Sequence, residues 1–274
     1  MSEFFIITTI FLYLSSTAGY IAFLFFQKEY LNKLGFYILG AGLLSHTALI
    51  GHAFFQSYSL PVHNLHQTIS LAGWMVTAVF LLFQTRFNLK ILGIYAAPLS
   101  SFIMILSARM PTEPAKINET VKSFWIILHV IIIMVSYASF ALACGVGILY
   151  LLQEHAIKTK KRGFFFRRLP SLELLDSTAY ACIITGFATV TIGLVSGFIY
   201  AKLIWGKFWS WDPKEVWSGI TWLFYAALLH ERLVAGWRGR KSAIMSIIGF
   251  AVLLFTFLGV NLLLKGHHGD FTPW

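Results

Sequence analysis

The sequence predicts an all-α, polytopic membrane helix bundle of about eight transmembrane helices, with both termini external. Three observations carry that expectation. Of the 274 residues, 58% are hydrophobic and only 12% are charged. Charged residues are thus about half as frequent as in ordinary globular chains, and lipid must take up the apolar surface. Apolar runs of spanning length recur along the chain, separated by short polar connections. Finally, the basic residues fall in alternate connections, which gives each span a direction.

The apolar runs lie near 4–26, 36–57, 66–84, 89–108, 124–152, 178–201, 214–231 and 243–264. The first follows Glu3 with no basic cluster before it, so it reads as a span and not as a cleaved signal peptide. Four connections carry the cations: Lys28 and Lys33; Arg86 and Lys90; Lys158, Lys160, Lys161, Arg162, Arg167 and Arg168; and Arg232, Arg238, Arg240 and Lys241. They hold two-thirds of the 21 lysines and arginines and are expected in the cytoplasm. The formal net charge of +10 is then a topology signal and an attraction to anionic lipid, with no need for nucleic acid. The basic connection at 153–177 has room for a small hairpin or surface helix. A single integral-membrane domain is expected over 1–274, without soluble domain or internal repeat. Cys144 and Cys182 sit in apolar runs and lack CxxC spacing, so they are expected to pack and not to form a redox or metal pair.

One segment departs from this pattern. Residues 205–217 read WGKFWSWDPKEVW, within an outward-facing connection at about 202–217. The structural reading is an interfacial helix start. Tryptophan favours membrane interfaces, Asp212 suits an N-cap, Pro213 a first helical position and Glu215 a capping box. The functional reading rests on indole density. If the segment is helical, Trp205 and Trp209 share a face with Phe208 beside them. Such a shelf suits a flat, apolar ligand, and a porphyrin fits that description.

A porphyrin shelf calls for axial iron ligands, usually histidine. Nine histidines are present. His129 is expected near the outer end of the fifth span and His268 just past the outer end of the eighth, both on the side of the tryptophans. Spacing alone does not choose between His267 and His268. His230 ends the seventh span toward the cytoplasm. His46 and His52 share the second span but lie roughly 240° apart around it, so they do not chelate one metal together. His63 and His66 are expected at the outer interface and His155 in solvent. For each, a hydrogen-bonded packing role is the alternative. Lys202, Lys207 and Lys214 are candidate partners for ligand carboxylates, against simple snorkelling to the interface.

WGKFWSWDPKE resembles the tryptophan-rich "WWD" segment of the haem-handling proteins of cytochrome c assembly. The resemblance is closer to the CcsA/ResC branch and its relative HemX than to the CcmC or CcmF branches. FWIILHVIIIMVSYASFALA, ITWLFYAALLHERLVAGWRGRKSAI and NLLLKGHHGDF are similar to other stretches of that family, and SLPVHNLHQTISLAGW is a looser match. The likeness covers about the last 150 residues well and the second and third spans weakly. It implies haem b as ligand, with His129 and His268 as the external axial pair and Trp205, Trp209, Trp211 and Asp212 in the haem-shelf segment. It implies His230 as an inner ligand; His46 is a candidate for its partner on position. In the two-component systems that partner comes from a separate CcsB protein. After His268 the tail reads Gly-Asp where the family usually has Ser-Tyr.

The resemblance further implies passage of haem across a bacterial cytoplasmic membrane to an external site. There a CcsB-like protein and a CXXCH-bearing apocytochrome c would meet it. The chain would then be a haem-handling subunit of a haem lyase and not an enzyme alone. Its length also suits the HemX branch, tied to tetrapyrrole metabolism. Two rival expectations are an electron-transfer membrane cytochrome b and a haem-free regulator of tetrapyrrole synthesis.

Overall fold

A computed structural model describes residues 2–87, 90–110, 123–160 and 163–264. Ten α-helices follow one another: α1 (Ser2–Phe26), α2 (Glu29–Ser57), α3 (Leu65–Phe87), α4 (Gly93–Ala108), α5 (Phe124–Lys158), α6 (Phe164–Arg168), α7 (Leu172–Trp205), α8 (Pro213–Val234), α9 (Arg240–Leu254) and α10 (Val260–Leu263). A 3₁₀ turn at Lys90–Leu92 leads into α4, and a π-helical turn at Phe255–Gly259 joins α9 to α10. No strand occurs among the described residues. The chain is a multi-pass helical membrane protein.

Seven helices are long and apolar enough to cross a bilayer. Of the eight expected spans the seventh, α8, is not among them. Lys214 and Glu215 open it, and His230, Glu231 and Arg232 lie in its last turns. Its 22 residues rise about 33 Å, close to a hydrocarbon thickness. Charge at its ends, and not shortness, therefore sets it apart.

Several helices overrun the expected apolar limits. The second starts at Glu29 and not near 36, and α5 and α7 reach 35 and 34 residues. At 1.5 Å per residue each of the latter rises about 50 Å, well past the bilayer core. Much of the basic connection is thus helix, with the five-residue α6 between the ends of α5 and α7.

Packing divides into two halves. In one, α1 pairs with α2 and α4, and α3 with α4; in the other, α5 packs on α7 and α9. Contact between α3 and α5 joins them. Hydroxyl and amide side chains cross-link the first half, where lipid supplies no hydrophobic drive and packing and hydrogen bonds must hold the helices. Thr17 bonds Ser101 at 3.1 Å, Thr77 donates to Ser100 at 2.9 Å and Tyr20 donates to Gln84 at 2.9 Å.

At the basic end of the second half, buried Arg232 of α8 grips Asp176 of α7 through both terminal guanidinium nitrogens, at 3.0 and 2.6 Å. Asp176 also accepts the backbone N–H of Gly239 at 2.7 Å. The pair therefore ties α7 and α8 to the turn that starts α9.

Candidate functional site

The α5–α7 seam builds the site. Gly186, Gly193 and Gly197 share one face of α7, since steps of seven and four residues return to the same side of a helix. A Cβ on these glycines would meet Phe140, Ile133 and His129 of α5 respectively. The missing side chains are what let the two helices approach. At Gly197 the added carbon would lie 2.8 Å from Cε1 of His129. The glycine is the cradle of that ring.

His129 is oriented from the same helix. Its Nδ1 lies 2.9 Å from the carbonyl oxygen of Gly193 and 3.2 Å from Oγ of Ser196. Ser196 in turn donates to the Gly193 carbonyl at 2.7 Å. A carbonyl only accepts, so Nδ1 must donate. The neutral ring then carries its lone pair on Nε2, the state in which an imidazole binds a metal.

His129 lines a largely apolar cleft with about 1210 Å³ of empty space, mouth included. Ile133, Phe198, Trp205 and Phe257 supply apolar wall, and Lys214 and Glu215 supply charge. Phe257 arrives from the π-helical turn, a local widening often found at functional sites. The turn is fixed where Thr256 meets Thr221 at 2.8 Å and Phe255 packs on Trp217 with centroids 4.4 Å apart.

The tryptophan segment does not continue the helix. Gly206 adopts φ +73° and its N–H returns to the carbonyl of Lys202 at 3.1 Å, which ends α7 at Trp205. The expected common helical face of Trp205 and Trp209 is therefore not formed. Trp205 alone of the four expected aromatic residues lines the cleft. Trp209 packs edge-on to Phe198 and Trp211 and rests against α8 at Gly219. Phe208 and Trp211 are exposed.

The capping expectation holds in full. Asp212 accepts the N–H of Lys214 at 2.9 Å, and Glu215 reaches back to the N–H of Asp212 in a capping box. Glu215 also takes both the N–H and the hydroxyl of Ser210, at 2.8 and 2.9 Å. Between these braced neighbours Trp211 sits at φ +60°. That region is strained for a bulky side chain, and such strain collects at functional sites.

The remaining candidates separate. His268 and its neighbour His267 lie outside the described residues. His46 is fully buried, with Nδ1 3.1 Å from the Tyr13 hydroxyl and Nε2 2.9 Å from Ser70. Both ring nitrogens are engaged within the α1–α4 half, by Tyr13 of α1 and Ser70 of α3. His230 is exposed on α8, turned away from the buried stripe of Thr221, Tyr225, Leu228 and Arg232. His63 and His66 are both held by hydrogen bonds. His63 is buried against Ser59 at 2.7 Å, and burial lowers its pKa from 6.5. His66 donates to the Ser107 carbonyl at 2.7 Å. Among the described residues no cluster of three or more His, Cys, Asp or Glu could hold a bare metal ion. Of the three candidate lysines, Lys214 lines the cleft, while Lys202 donates to the Gly206 carbonyl at 2.9 Å.

Sequence reasoning missed the residues that hold His129: Gly193, Ser196 and Gly197. The glycine spacing on α7 was the available signal. The α8 pattern also foretold which way His230 points, since Leu228 and Arg232 flank it on the opposite face.

Known proteins agree with this architecture. The solved structure of the cytochrome c heme lyase CcmF superposes with a TM-score of 0.65 at 16% identity, over 99% of this chain and 48% of that one. The likeness at that identity is one of fold. In sequence, the chain is similar to "Cytochrome c biogenesis protein CcsA" of Chlamydomonas reinhardtii, at 37% identity over 78% of this chain and 61% of the relative. The corresponding protein of Guillardia theta is 35% identical over 81% of this chain and 80% of its own. That of Gloeothece citriformis (strain PCC 7424) is 31% identical over 94% and 93%. The family model for cytochrome C assembly protein matches residues 62–268, a stretch that includes the whole α5–α7 seam and its cleft. The chain that builds its cleft around His129 thus belongs to the cytochrome c assembly protein family.

Proposed function

We propose that this chain binds haem b and presents it at the tryptophan end of the bundle during cytochrome c maturation. The observation that carries the reading is the orientation of His129. Its Nδ1 is committed to the Gly193 carbonyl, and its ring lines an apolar cleft beside Trp205 and Lys214. An axial imidazole needs such a second hydrogen bond, a flat ring needs apolar walls, and a propionate needs a cation. Bound haem would supply iron for axial ligation; everything else falls to the protein.

In this reading His129 is one external axial ligand and His268 the other. Trp205 flanks the ring, and Lys214 faces a propionate. Trp209, Phe208, Trp211 and Asp212 form and brace the outer rim. His230 is the inner ligand. Its outward position on α8 suits completion of that site by a CcsB-like membrane protein better than by His46 of this chain. An apocytochrome c receives the haem outside. The membrane is the bacterial cytoplasmic membrane, with basic connections inside and both termini outside. The electron-transfer alternative needs histidines facing each other on neighbouring helices, which His46 and His230 do not provide.

Haem content of the purified full-length protein tests the reading, together with reporters fused at residue 160 and at the C-terminus. The expected result is haem co-purifying with the wild type, lost with His129→Ala, with a cytoplasmic reporter at 160 and an external one at the end. Full haem content in His129→Ala, or the reverse reporter pattern, would contradict it.

A further inference from the structure

At the basic end of the α1–α4 half, a second groove opens between α2, the end of α3 and the 3₁₀ turn. It holds about 670 Å³ of open space and is lined by Glu29, Asn32, Lys33, Phe36, Gln84 and Lys90, among others. Gln84 and Thr85 bring it to the last turn of α3, whereas the His129 cleft meets α3 at Thr68 in its first turn, and nothing in the haem reading uses the groove.

The polar floor of this groove is directional. Gln84 and Asn32 are each more than nine-tenths buried. Tyr20 donates its hydroxyl to Oε1 of Gln84 at 2.9 Å. That bond turns the Gln84 amide so that Nε2 faces Oδ1 of Asn32, at 3.5 Å. Each amide oxygen thereby faces a donor, the second at the long end of hydrogen-bond distance, and Asn32 has its own N–H protons to offer. The hydroxyl of Thr85 is spent on the Leu82 carbonyl at 2.8 Å. Two ammonium groups border this floor. Lys90 is paired with Glu29 at 2.9 Å, whereas Lys33 has no carboxylate within ion-pair distance among the described residues. The groove therefore offers donors and a surplus cation, and its one carboxylate is already engaged.

An apolar track leaves the groove. Tyr30, Leu34, Tyr37 and Leu44 are exposed along one face of α2, at the spacing of a single helical stripe. A ligand matching both parts has an anionic head and long apolar tails. Phosphate oxygens only accept, which suits a wall of donors. Haem fits less well, because no histidine lines the groove.

We propose that this groove binds an anionic phospholipid of the leaflet at the basic end, with its phosphate against Lys33 and Asn32 and its tails along Tyr37 and Leu44. Basic pockets between helices on this side of a membrane are known to hold acidic head groups. The site anchors the first half of the bundle at a fixed depth and does not depend on the haem reading.

Native mass spectrometry of the full-length protein, released from nanodiscs of equal phosphatidylglycerol and phosphatidylcholine, tests it. The wild type is expected to retain phosphatidylglycerol in preference. Lys33→Gln should lower that retention about fivefold, the effect of one cation near the surface. Glu29→Gln should raise it, since Lys90 then loses its internal partner. Equal retention of both lipids by the wild type would overturn the proposal, as would unchanged retention in both variants. Displacement of the retained lipid by haem, but not by its dimethyl ester, would assign the groove to haem carboxylates and overturn the lipid assignment.

Discussion

The Nδ1 of His129 on α5 donates to the backbone carbonyl of Gly193 on α7 across 2.9 Å. One hydrogen bond thus sets both the ring's direction and its tautomer. One turn further along α7, Gly197 leaves the space that the ring occupies.

Gly197→Ala should displace the imidazole, because the new carbon would sit 2.8 Å from Cε1 and 3.2 Å from Nδ1. Haem affinity is expected to fall about 10- to 100-fold, the usual effect of disturbing a ligand's support. Overpacking should also lower stability by about 1–3 kcal/mol. Haem titration and thermal unfolding measure the two effects. Wild-type affinity in this variant would show that the Gly197 cradle does not matter.

Trp211→Gly should separate strain from function. Glycine accepts a φ of +60° at no steric cost, and relief of an aromatic residue there is worth about 1–2 kcal/mol. The thermal midpoint is expected to hold or rise, while delivery of haem to an apocytochrome declines. A lower midpoint would mean that the exposed indole contributes packing that outweighs the strain.

The Arg232–Asp176 pair should respond asymmetrically. Asp176→Asn leaves the buried Arg232 charge uncompensated and is expected to destabilise by about 3–5 kcal/mol, and Arg232→Leu, which strands the half-buried Asp176, by less. Replacing both by leucine should cost clearly less than Asp176→Asn alone. Unfolding in mild detergent across this double-mutant cycle decides it; additive losses would contradict the reading.

His63 should make stability fall in mild acid. Burial lowers its folded-state pKa below 6.5, so the unfolded chain binds more protons as pH drops through about 6.5. Stability contributed by the neutral ring is therefore full above that pH and declines beneath it. His63→Gln should flatten the difference between melting at pH 7.5 and at pH 5.5. An equal slope in wild type and variant would place the acid sensitivity elsewhere.

Much of the fold was legible because lipid demands long apolar helices. The runs from Ser2 to Phe26 and from Phe124 onward announced themselves by composition. Helix α8 was legible too, though its terminal charges take it outside strict hydropathy. The ends of α2, α5 and α7 were not, because Glu29, Lys158 and Glu173 fall outside the apolar runs, and polar residues continue a helix without breaking its hydrogen bonds. The N-cap at Asp212 was readable from four residues, since capping is local. The course of the tryptophans was not. Gly206 permitted a left-handed stop that the indole spacing did not announce. His129 stood out as a polar residue in an apolar run, but Gly193 and Ser196 come from a helix more than sixty positions away. His46 also stood out as a polar residue in an apolar run, but its partners Tyr13 and Ser70 come from α1 and α3, which its own span does not announce.

The most direct measurement is the visible spectrum of the full-length protein carrying ferric haem, wild type against His129→Gly, each with and without added imidazole. If His129 is an axial ligand, the wild type shows a six-coordinate low-spin spectrum. His129→Gly loses it together with most of the haem, and imidazole restores it by filling the vacated place beside Gly193. A His129→Gly protein with the wild-type spectrum and haem content, indifferent to imidazole, would contradict the account.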